Sequence, residues 1–411
     1  MDGIVYDLIV VGGGAAGFFG AIRTGESNTG SKILILEKTT KLLTKVKVSG
    51  GGRCNVTHDE PDPHKLSRHY PRGEKALKSL FKNFHAHDVV QWFHSKHVPL
   101  KTEADGRMFP VSNNSQTIID CFLDLTQKLK IRIETGREVT RISPVENRFD
   151  VVCNDGTRYV GKKILIALGG HPSPRAYDVI AGLGHTIIKP IPSLFTFNNP
   201  DKIFADLMGV AVSQAEVRIA TTRFSNTGPV LITHWGLSGP AVIRLSAWAA
   251  AYLHEQQYQF TALVNWTGTM TEDTLRETLL THKQTKGKQK VVGNPLFNLP
   301  ARLWERLCEQ ADVPADKIWA ELPQKNINKL LENLIRCPFH IKGKTTFKEE
   351  FVTCGGVDLS EIDLERMESK KIKGLHFAGE VLNIDGETGG FNFQAAWTTA
   401  DTAARGLSTS S

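Results

Sequence analysis

The start of the chain alternates apolar runs with a glycine-rich turn in a pattern that predicts a β-α-β unit. The apolar run Leu8–Val11 leads into the turn Gly12–Gly17, and a helix-like segment follows. A second apolar run, Ile33–Leu36, ends at Glu37. A strand, a glycine turn, a helix, a strand and an acid in this order are typical of a dinucleotide-binding unit. The alternative is an ordinary glycine-rich turn between a strand and a helix.

Further along, the pattern predicts helices over residues 74–97 and 112–128 from their apolar faces. Alternating residues on both sides of Asp155-Gly156 predict a hairpin. The run Lys163–Leu168 is almost continuously apolar and leads to Gly169-Gly170. Such a run indicates a strand that is buried on both faces of a parallel sheet.

The pattern changes after the proline-rich segment Pro190–Ser193, which predicts a domain boundary. The expected fold class is α/β, with a Rossmann-type nucleotide-binding domain that has a parallel sheet and is interrupted by an insertion. Strands are also predicted at Thr346–Val352 and before Gly379. The expected domains are 1–192 (nucleotide-binding, first part), 193–270 (an inserted β-rich subdomain), 271–345 (a helical subdomain) and 346–411 (nucleotide-binding, C-terminal part).

Composition and charge narrow the class of protein. The 411 residues carry a formal net charge of +7, which permits an acidic partner, although the charge is spread along the chain. The basic stretch Lys283–Lys290 reads as a solvated face, with nucleic-acid contact as the alternative. Six scattered cysteines without a CxxC motif favour reduced thiols in a cytoplasmic protein. Neither a signal peptide nor a membrane span is expected.

Each glycine of the opening turn has a physical task. Gly12 permits the tight turn, Gly14 lets the backbone approach a pyrophosphate, and Gly17 lets the helix pack on the strand. The helix N-terminus offers free N–H groups to the phosphates. Glu37 lies where an acid can accept hydrogen bonds from the hydroxyls of an adenosine ribose.

Two more glycine-rich elements indicate which dinucleotide is bound. Ser49–Asn55 offers backbone amides and a guanidinium in a tight loop, and Gly379-Glu380 is followed by Gly386–Asn392 just before a helix. The pair Gly182 and Gly184 lacks a third glycine, so one fingerprint is present rather than two. Three distant elements fit one long ligand such as FAD, whereas NAD alone would not need the last of them.

Several motifs resemble those of the BaiN/YhiN-like flavoprotein family, which includes aminoacetone oxidase-like enzymes. They are SGGGRCNVTH (Ser49–His58), GRMFP (Gly106–Pro110), ALGG (Ala167–Gly170), THWGLSGPAV (Thr233–Val242) and HFAGEVLNIDGETGGFNFQAAW (His376–Trp397). The resemblance implies an FAD-binding domain with inserted β-rich and helical subdomains, and a substrate that reaches the flavin near the insertion. It implies FAD contacts at Gly12, Gly14, Ala16, Gly17, Glu37, Lys38, Lys45, Ser49, Gly50, Arg53, Cys54, Asn55, Val139 (beside the adenine), Gly169, Gly170, Gly379, Glu380, Gly390, Phe391 and Asn392.

A few other residues carry possible chemistry. The four histidines of residues 85–97 do not converge on one helix face, and no metal site is expected. Cys54 packs in a glycine loop, with a redox-active thiol as the alternative. His234 is the candidate catalytic residue, as a proton donor near the substrate, and a structural histidine is its alternative.

The sequence therefore predicts an FAD-dependent oxidoreductase that acts on a small organic molecule. Both an NAD(P)H-linked reductase and an amine-type oxidase fit the resemblance, and NAD(P)H would then be a transient reductant. The alternatives are a flavin-dependent RNA-modifying protein and a flavin-binding protein without turnover. Neither a nucleic-acid partner nor a membrane is expected, and the oligomeric state stays open.

Overall fold

The computed structural model describes residues 3–345 and 352–409, apart from the side chains of Lys202 and Thr409. The chain divides into two compact units. The first combines Met1–Ser193 with Phe347–Ser411, and the second is Leu194–Thr346. The strand predicted at Thr346–Val352 lies outside the described residues apart from Val352.

The strands are β1 (Val5–Val11), β2 (Ile33–Glu37), β3 (Thr57–His58), β4 (Leu100–Thr102), β5 (Arg107–Pro110), β6 (Arg132–Thr135), β7 (Val139–Val145), β8 (Arg148–Cys153), β9 (Arg158–Ile166), β10 (Ile187–Pro192), β11 (Thr196–Asn198), β12 (Ala211–Ile219), β13 (Ser225–Thr233), β14 (Gly236–Ser238), β15 (Gln259–Asn265), β16 (Cys337–Lys342), β17 (Lys344–Thr345), β18 (Thr353–Val357), β19 (Ile362–Asp363), β20 (Glu368–Ser369) and β21 (Leu375–Phe377).

The helices are α1 (Ala15–Ser27), α2 (Thr44–Gly52), α3 (Pro63–Ser67), α4 (Glu74–Leu80), α5 (Ala86–Ser95), α6 (Gln116–Lys128), α7 (Asp178–Ala181), α8 (Pro240–Trp248), α9 (Ala250–Glu255), α10 (Glu272–Thr285), α11 (Ala301–Gln310), α12 (Gln324–Ile335) and α13 (Phe391–Thr409). Short 3-10 helices cover Pro174–Tyr177, Lys202–Leu207, Trp319–Glu321, Leu359–Glu361 and Gly379–Val381.

The first unit is built on a mixed sheet with the strand order β19-β20-β21-β9-β1-β2-β6. Strands β21, β9, β1, β2 and β6 run parallel, and β8 forms an antiparallel hairpin with β9. Residues Ile164–Ile166 of β9 are completely buried, because strands flank β9 and both of its faces are covered. The predicted Rossmann-type α/β fold is therefore confirmed.

Helices α1 and α13 pack against each other and cover this sheet with an aromatic cluster. Phe19 contacts Trp397 at 5.3 Å between ring centroids, and Phe122 lies 5.7 Å from the same indole. Because β1 leads directly into α1, this packing fixes the glycine turn between them.

The helix predicted over residues 74–97 is two helices rather than one. Helix α4 ends at Leu80, and α5 begins at Ala86. The backbone N–H of His85 donates to the Asp88 carboxylate at 2.8 Å, which is one half of a capping box. A new helix therefore starts at this point, because the cap satisfies N–H groups that a continuous helix would have used internally.

Pro190 and Pro192, where the sequence predicts a boundary, lie in strand β10. This strand pairs antiparallel with β18, and its register shifts between Ile188 and Ile191. The shift accommodates the proline between them, which has no N–H to donate. The division between the two units follows directly, at Ser193 and Leu194.

The second unit contains a sheet with the order β16-β15-β12-β13-β14-β11-β17. Helix α8 packs against β13, and α10, α11 and α12 enclose the buried side chains of Trp304 and Trp319. Strand β16 lies within residues 271–345, where the sequence predicts a helical subdomain, and it pairs with β15 along its length. Its side chains alternate between buried and exposed, as an edge strand with one covered face requires. Among the described residues, no helix has the length and apolar composition to cross a bilayer.

Candidate functional site

The opening glycine turn leaves an open space directly before helix α1. A Cβ on Gly12 would lie 2.3 Å from the carbonyl oxygen of Ala167, and a Cβ on Gly17 would lie 2.0 Å from that of Gly12. A Cβ on Gly14, in contrast, would meet no atom within 4 Å. Helix α1 has no side-chain cap and no acid in its first turn. Its first N–H groups therefore suit the phosphates of a dinucleotide.

Glu37 is held at the end of β2 by its own neighbours. Its Oε2 accepts a hydrogen bond from the Gly13 N–H at 2.8 Å, and its Oε1 accepts from the Thr39 N–H at 2.9 Å. The Thr39 hydroxyl also donates to Oε1 at 2.9 Å. A carboxylate can accept about four hydrogen bonds, so capacity remains for about one ribose hydroxyl. The backbone N–H of Arg137 also donates to the Glu37 carbonyl at 2.8 Å, which brings the strand that starts at Val139 beside this position. Lys38 follows Glu37 and is exposed.

The strand order gives the direction in which a long ligand extends. Glu37 lies at the carboxyl end of β2, and the glycine turn lies at that of β1. Gly169-Gly170 follow β9, and Gly379-Glu380 follow β21. Because these four strands are neighbours and parallel, the glycine elements form a line along one edge of the sheet. Open α/β sheets bind ligands at this edge. A ligand with its adenosine at Glu37 would extend towards Glu380.

An ion pair marks the far end of this line. Lys45 Nζ lies 2.6 Å from Glu380 Oε2, and Glu380 Oε1 accepts from the Thr353 N–H at 2.9 Å. A Cβ on Gly170 would lie 2.4 Å from Glu380 Oε1, so this glycine makes room for the carboxylate. Glu380 is thus held from two sides. Thr353 could not be identified from the sequence, because its short segment TCGGV is rich in glycine and is a weak strand signal.

The C-terminal part of α2 departs from helical geometry at three successive residues. Ser49 is extended, and Gly50 and Gly51 have φ angles of 58° and 69°. A Cβ on Gly50 would lie 2.8 Å from the Phe109 ring. Both the φ angles and this close contact require glycine. The SGGG sequence therefore folds into a compact loop that presents the residues after it.

Cys54 follows this loop and is completely buried. Its burial raises the pKa of the thiol to about 12, so the thiol stays protonated at neutral pH. A thiolate is the form that reacts, and this environment therefore favours the packing role over the redox role.

Arg53 is oriented by two contacts. Its guanidinium lies 3.9 Å from the centroid of the Phe109 ring, and its Nη1 lies 2.6 Å from Glu103 Oε1. About a third of the side chain is exposed. The fixed orientation leaves other N–H donors of the guanidinium available to an anionic group.

Asn55 joins the SGGGRCN loop to the end motif. In the amide orientation that satisfies its neighbours, its nitrogen donates to the Thr57 carbonyl at 3.0 Å and its oxygen accepts from the Gly390 N–H at 2.9 Å. The Thr57 hydroxyl also donates to Gln394 at 2.5 Å. These contacts join residues that are more than 300 positions apart in the sequence. No pattern in the sequence predicts that these residues pair.

The end motif closes on itself through Asn392. Its Oδ1 accepts from the Gly386 N–H at 2.9 Å, and its Nδ2 donates to the Gly386 carbonyl at 3.0 Å. The Phe391 ring is buried and stacks on His69 with centroids 4.2 Å apart. Asn392 and Phe391 therefore shape the loop through contacts within the protein.

Two polar pairs that join the end motif to distant residues were not expected from the sequence. His69 Nδ1 lies 3.1 Å from a carboxylate oxygen of Glu387, and about a third of the histidine side chain is exposed. Asp385 is completely buried, where it accepts from Arg72 Nε at 2.5 Å and from the Ser193 hydroxyl. Burial raises the pKa of Asp385, and the Arg72 guanidinium opposes that rise. Glu387 and Asp385 both lie in the quoted end motif, whereas their partners lie far away in sequence.

His234 belongs to the second unit. It is exposed in the turn between β13 and β14, and its ring lies 4.1 Å from the ring of Trp235. Among residues 3–345 and 352–409, no group of three or more His, Cys, Asp or Glu side chains is arranged to hold a metal ion.

The chain was compared with known proteins. The family described as HI0933-like protein Rossmann domain matches residues 6–406. The chain is 29% identical over 414 residues to the ribosomal RNA dihydrouridine synthase of Escherichia coli, with 98% of each chain covered. It is 26% identical over 406 residues to the 3-dehydro-bile acid delta(4,6)-reductase of Clostridium scindens, with 96% of this chain and 97% of the relative covered.

Among solved structures, the chain resembles two ketosteroid dehydrogenases in fold. The 3-ketosteroid-delta4-(5alpha)-dehydrogenase of Rhodococcus jostii has a TM-score of 0.53 at 13% identity, with 98% and 97% of the two chains covered. The 3-ketosteroid delta1-dehydrogenase of Sterolibacterium denitrificans has a TM-score of 0.54 at 12% identity, with 99% and 100% covered.

Proposed function

Because this chain belongs to the HI0933-like Rossmann family and is an FAD-dependent oxidoreductase, we propose that it reduces a carbon–carbon double bond conjugated to a carbonyl group. One observation carries this proposal. The chain aligns over nearly its whole length with two relatives whose names describe that chemistry. Dihydrouridine is uridine with a reduced ring double bond beside a carbonyl, and a delta(4,6)-reductase of a 3-dehydro compound acts on double bonds conjugated to a ketone.

The residues of the first unit suit the cofactor. The open space at Gly14 and the uncapped start of α1 fit a pyrophosphate, and Glu37 retains capacity for an adenosine ribose. Lys45 and Glu380 lie at the end of the line of glycine elements along which the remainder of the ligand would extend. Bound and reduced FAD supplies a hydride, and the protein supplies the orientation.

The reduction also needs a proton on the carbon next to the one that receives the hydride. Two histidines are candidates for donating it. His234, the candidate proton donor from the sequence, is exposed in its turn. His69 is oriented by Glu387 and by the ring of Phe391, both of which belong to the end motif. An oriented and partly exposed imidazole has the geometry of a general acid.

We propose a uracil base within RNA as the first substrate class. The two ribosomal RNA dihydrouridine synthases, from Escherichia coli and Haemophilus influenzae, are 29% and 28% identical to this chain. The net charge of +7 is compatible with an RNA substrate. The sequence alone favours a small molecule, and the bile acid reductase supports a small enone as the second candidate. NAD(P)H is the proposed transient reductant for either substrate.

Anaerobic flavin spectroscopy tests this function. Purified protein with FAD is mixed without oxygen with NADH, with NADPH or with a panel of amines, and bleaching of the flavin absorbance is recorded. Reduced protein is then offered uridine-containing RNA, a cyclic enone or buffer. We expect a pyridine nucleotide to bleach the flavin. RNA or the enone should then restore the flavin absorbance, and the product should carry two more hydrogens than the substrate. Bleaching by an amine alone would instead establish an oxidase and overturn the proposal.

A further inference from the structure

The second unit contains a stretch of chain with several cations and no acid. Between Glu277 and Glu305, the only charged side chains are Lys283, Arg302 and a group of three lysines. We call this group the lysine strip, and it consists of Lys286, Lys288 and Lys290. An interval that holds five cations and no carboxylate is a local concentration of positive charge.

The lysine strip is held in place by backbone hydrogen bonds. It directly follows helix α10. The N–H groups of Trp319 and Ala320 donate to the carbonyls of Gln289 and Gly287 at 3.0 and 2.9 Å, and the Val291 N–H donates to the Lys317 carbonyl at 2.9 Å. Trp319 is completely buried, so the strip is anchored to the core of its unit. Its backbone is therefore ordered before any partner arrives.

The three ammonium groups of the strip are available to a partner. All three lysines are exposed, and within the described ranges 3–345 and 352–409 none of them forms an ion pair. The nearby Lys317 differs, because it pairs with Glu321 at 3.1 Å. The segment of Lys317, which the backbone hydrogen bonds join to the strip, contains two acids, Asp316 and Glu321. The strip thus keeps an excess of positive charge over its neighbouring carboxylates.

We propose that the lysine strip is a docking surface for the phosphate backbone of RNA. The proposal rests on the proposed function, in which the uracil that is reduced belongs to an RNA chain. Unpaired and exposed ammonium groups on an ordered backbone bind phosphates without base preference, and they release condensed counterions as they do so. The strip therefore holds the RNA by its backbone, while the flavin-binding unit acts on the base.

Binding of a labelled RNA hairpin with a uridine-rich loop tests the proposal. The triple variant K286Q/K288Q/K290Q is compared with wild type and with K75Q/K78Q/K82Q, which removes three exposed lysines from the other unit. We expect the strip variant to bind about tenfold or more weakly at moderate salt, with a slope of log affinity against log salt that is smaller by about 2–3. We expect the control variant to stay within about twofold of wild type.

A second variant separates charge from fold. K286R/K288R/K290R keeps the cations and should bind RNA like wild type, and all variants should keep wild-type circular dichroism and FAD content. Equal losses in the strip and control variants would show that net charge alone matters and would overturn the proposal. Wild-type affinity in the glutamine strip variant would overturn it as well.

Failure of the docking proposal can be distinguished from failure of the proposed function. Reduction of a cyclic enone needs no RNA, and the strip variant should carry it out at the wild-type rate. If the wild-type protein reduces the enone but does not bind the hairpin, the docking proposal is wrong and the proposed reductase function stands. If the protein binds the hairpin through the strip but reduces neither the enone nor the RNA, the docking proposal stands and the proposed function is wrong.

Discussion

Lys45 Nζ and Glu380 Oε2 are 2.6 Å apart, although 335 positions separate the two residues in the sequence. The pair connects the start of α2 with the end of β21 across the carboxyl ends of the central strands. It lies along the line of glycine elements that we assign to FAD. An ion pair with a half-exposed lysine stabilises a fold by only about 0–1 kcal/mol, and we propose that its main effect is on FAD binding.

We therefore expect Lys45→Gln to weaken FAD binding by about tenfold, which corresponds to about 1.4 kcal/mol. The thermal midpoint of the protein without FAD should change little. The measurement is a titration of the apoprotein with FAD, followed by flavin fluorescence. Lys162→Gln is the matched control, because Lys162 pairs with Asp7 at 2.7 Å in the same sheet and away from the glycine line. Equal FAD affinities for the two variants would contradict the assignment of Lys45.

Gly14→Ala separates cofactor binding from folding. The new Cβ would meet no protein atom within 4 Å, and the φ angle of Gly14 is −95°, so the fold should lose at most about 1 kcal/mol from the helix cap. The methyl group would, however, project into the space assigned to the pyrophosphate. We expect purified Gly14→Ala protein to be folded but nearly colourless. The control is Gly293→Ala, which also meets no atom within 4 Å and should stay yellow.

Cys54 should be chemically inert in the folded protein. With a pKa raised to about 12 by burial, it has almost no thiolate at neutral pH. We expect Cys54 to resist alkylation by iodoacetamide until denaturant is added, with the modified cysteine identified by mass spectrometry. Cys54→Ala should retain flavin reduction at a rate near that of wild type. Rapid alkylation of Cys54 in the native protein, or complete loss of flavin reduction in a folded variant, would instead support a redox role for Cys54.

The two candidate proton donors, His69 and His234, can be distinguished by the kinetics of their variants. If His69 donates the proton, His69→Gln should lower kcat by about 100-fold, because general acid catalysis contributes factors of that size. Reduction of the flavin by NAD(P)H should stay unchanged. His234→Gln should then mainly raise KM. The reverse outcome would assign the proton to His234.

His376 makes the stability of the first unit depend on pH. Burial lowers the pKa of this histidine from 6.5 to about 4, and its Nδ1–H donates to the Arg366 carbonyl at 2.9 Å. The folded state therefore holds the neutral imidazole, whereas the unfolded chain takes up a proton below pH 6.5. The stabilisation is complete above that pH and is lost as the pH falls from 6.5 towards 4.

Urea unfolding at a series of pH values checks this expectation. The free energy of unfolding of wild type should fall between pH 6.5 and 4, and His376→Gln should show a shallower fall. Burial also lowers the pKa of His185, so some of the fall should remain in the variant. Identical slopes for wild type and His376→Gln would show that His376 does not contribute.

The parts of the fold that the sequence predicts are those with a local physical cause. Gly12, Gly17 and the apolar run of β1 lie next to each other, and each glycine is required by a close backbone contact. The FAD-binding class followed from such patterns. The break between α4 and α5 was missed because the apolar face continues through it, while the cap at His85 depends on short-range contacts between His85 and Asp88.

The geometry of the candidate site depended on contacts that no local pattern encodes. Asn55 meets Gly390, and His69 meets Glu387, only after the sheet brings the two halves of the first unit together. Asn55 and Gly390 both belong to quoted motifs, but no pattern in the sequence predicts that the two residues contact each other. His69 lies outside every quoted motif and could not have been chosen.

The order of strands in the central sheet has a consequence for biosynthesis. Strand β21 lies beside β9, and helix α13 packs on α1, yet β21 and α13 are translated long after β1 and α1. While the ribosome is still producing the second unit, the glycine turn lacks both Glu380 and its covering helix. A stable flavin site therefore has to await the synthesis of β21 and α13, and FAD capture should follow their translation.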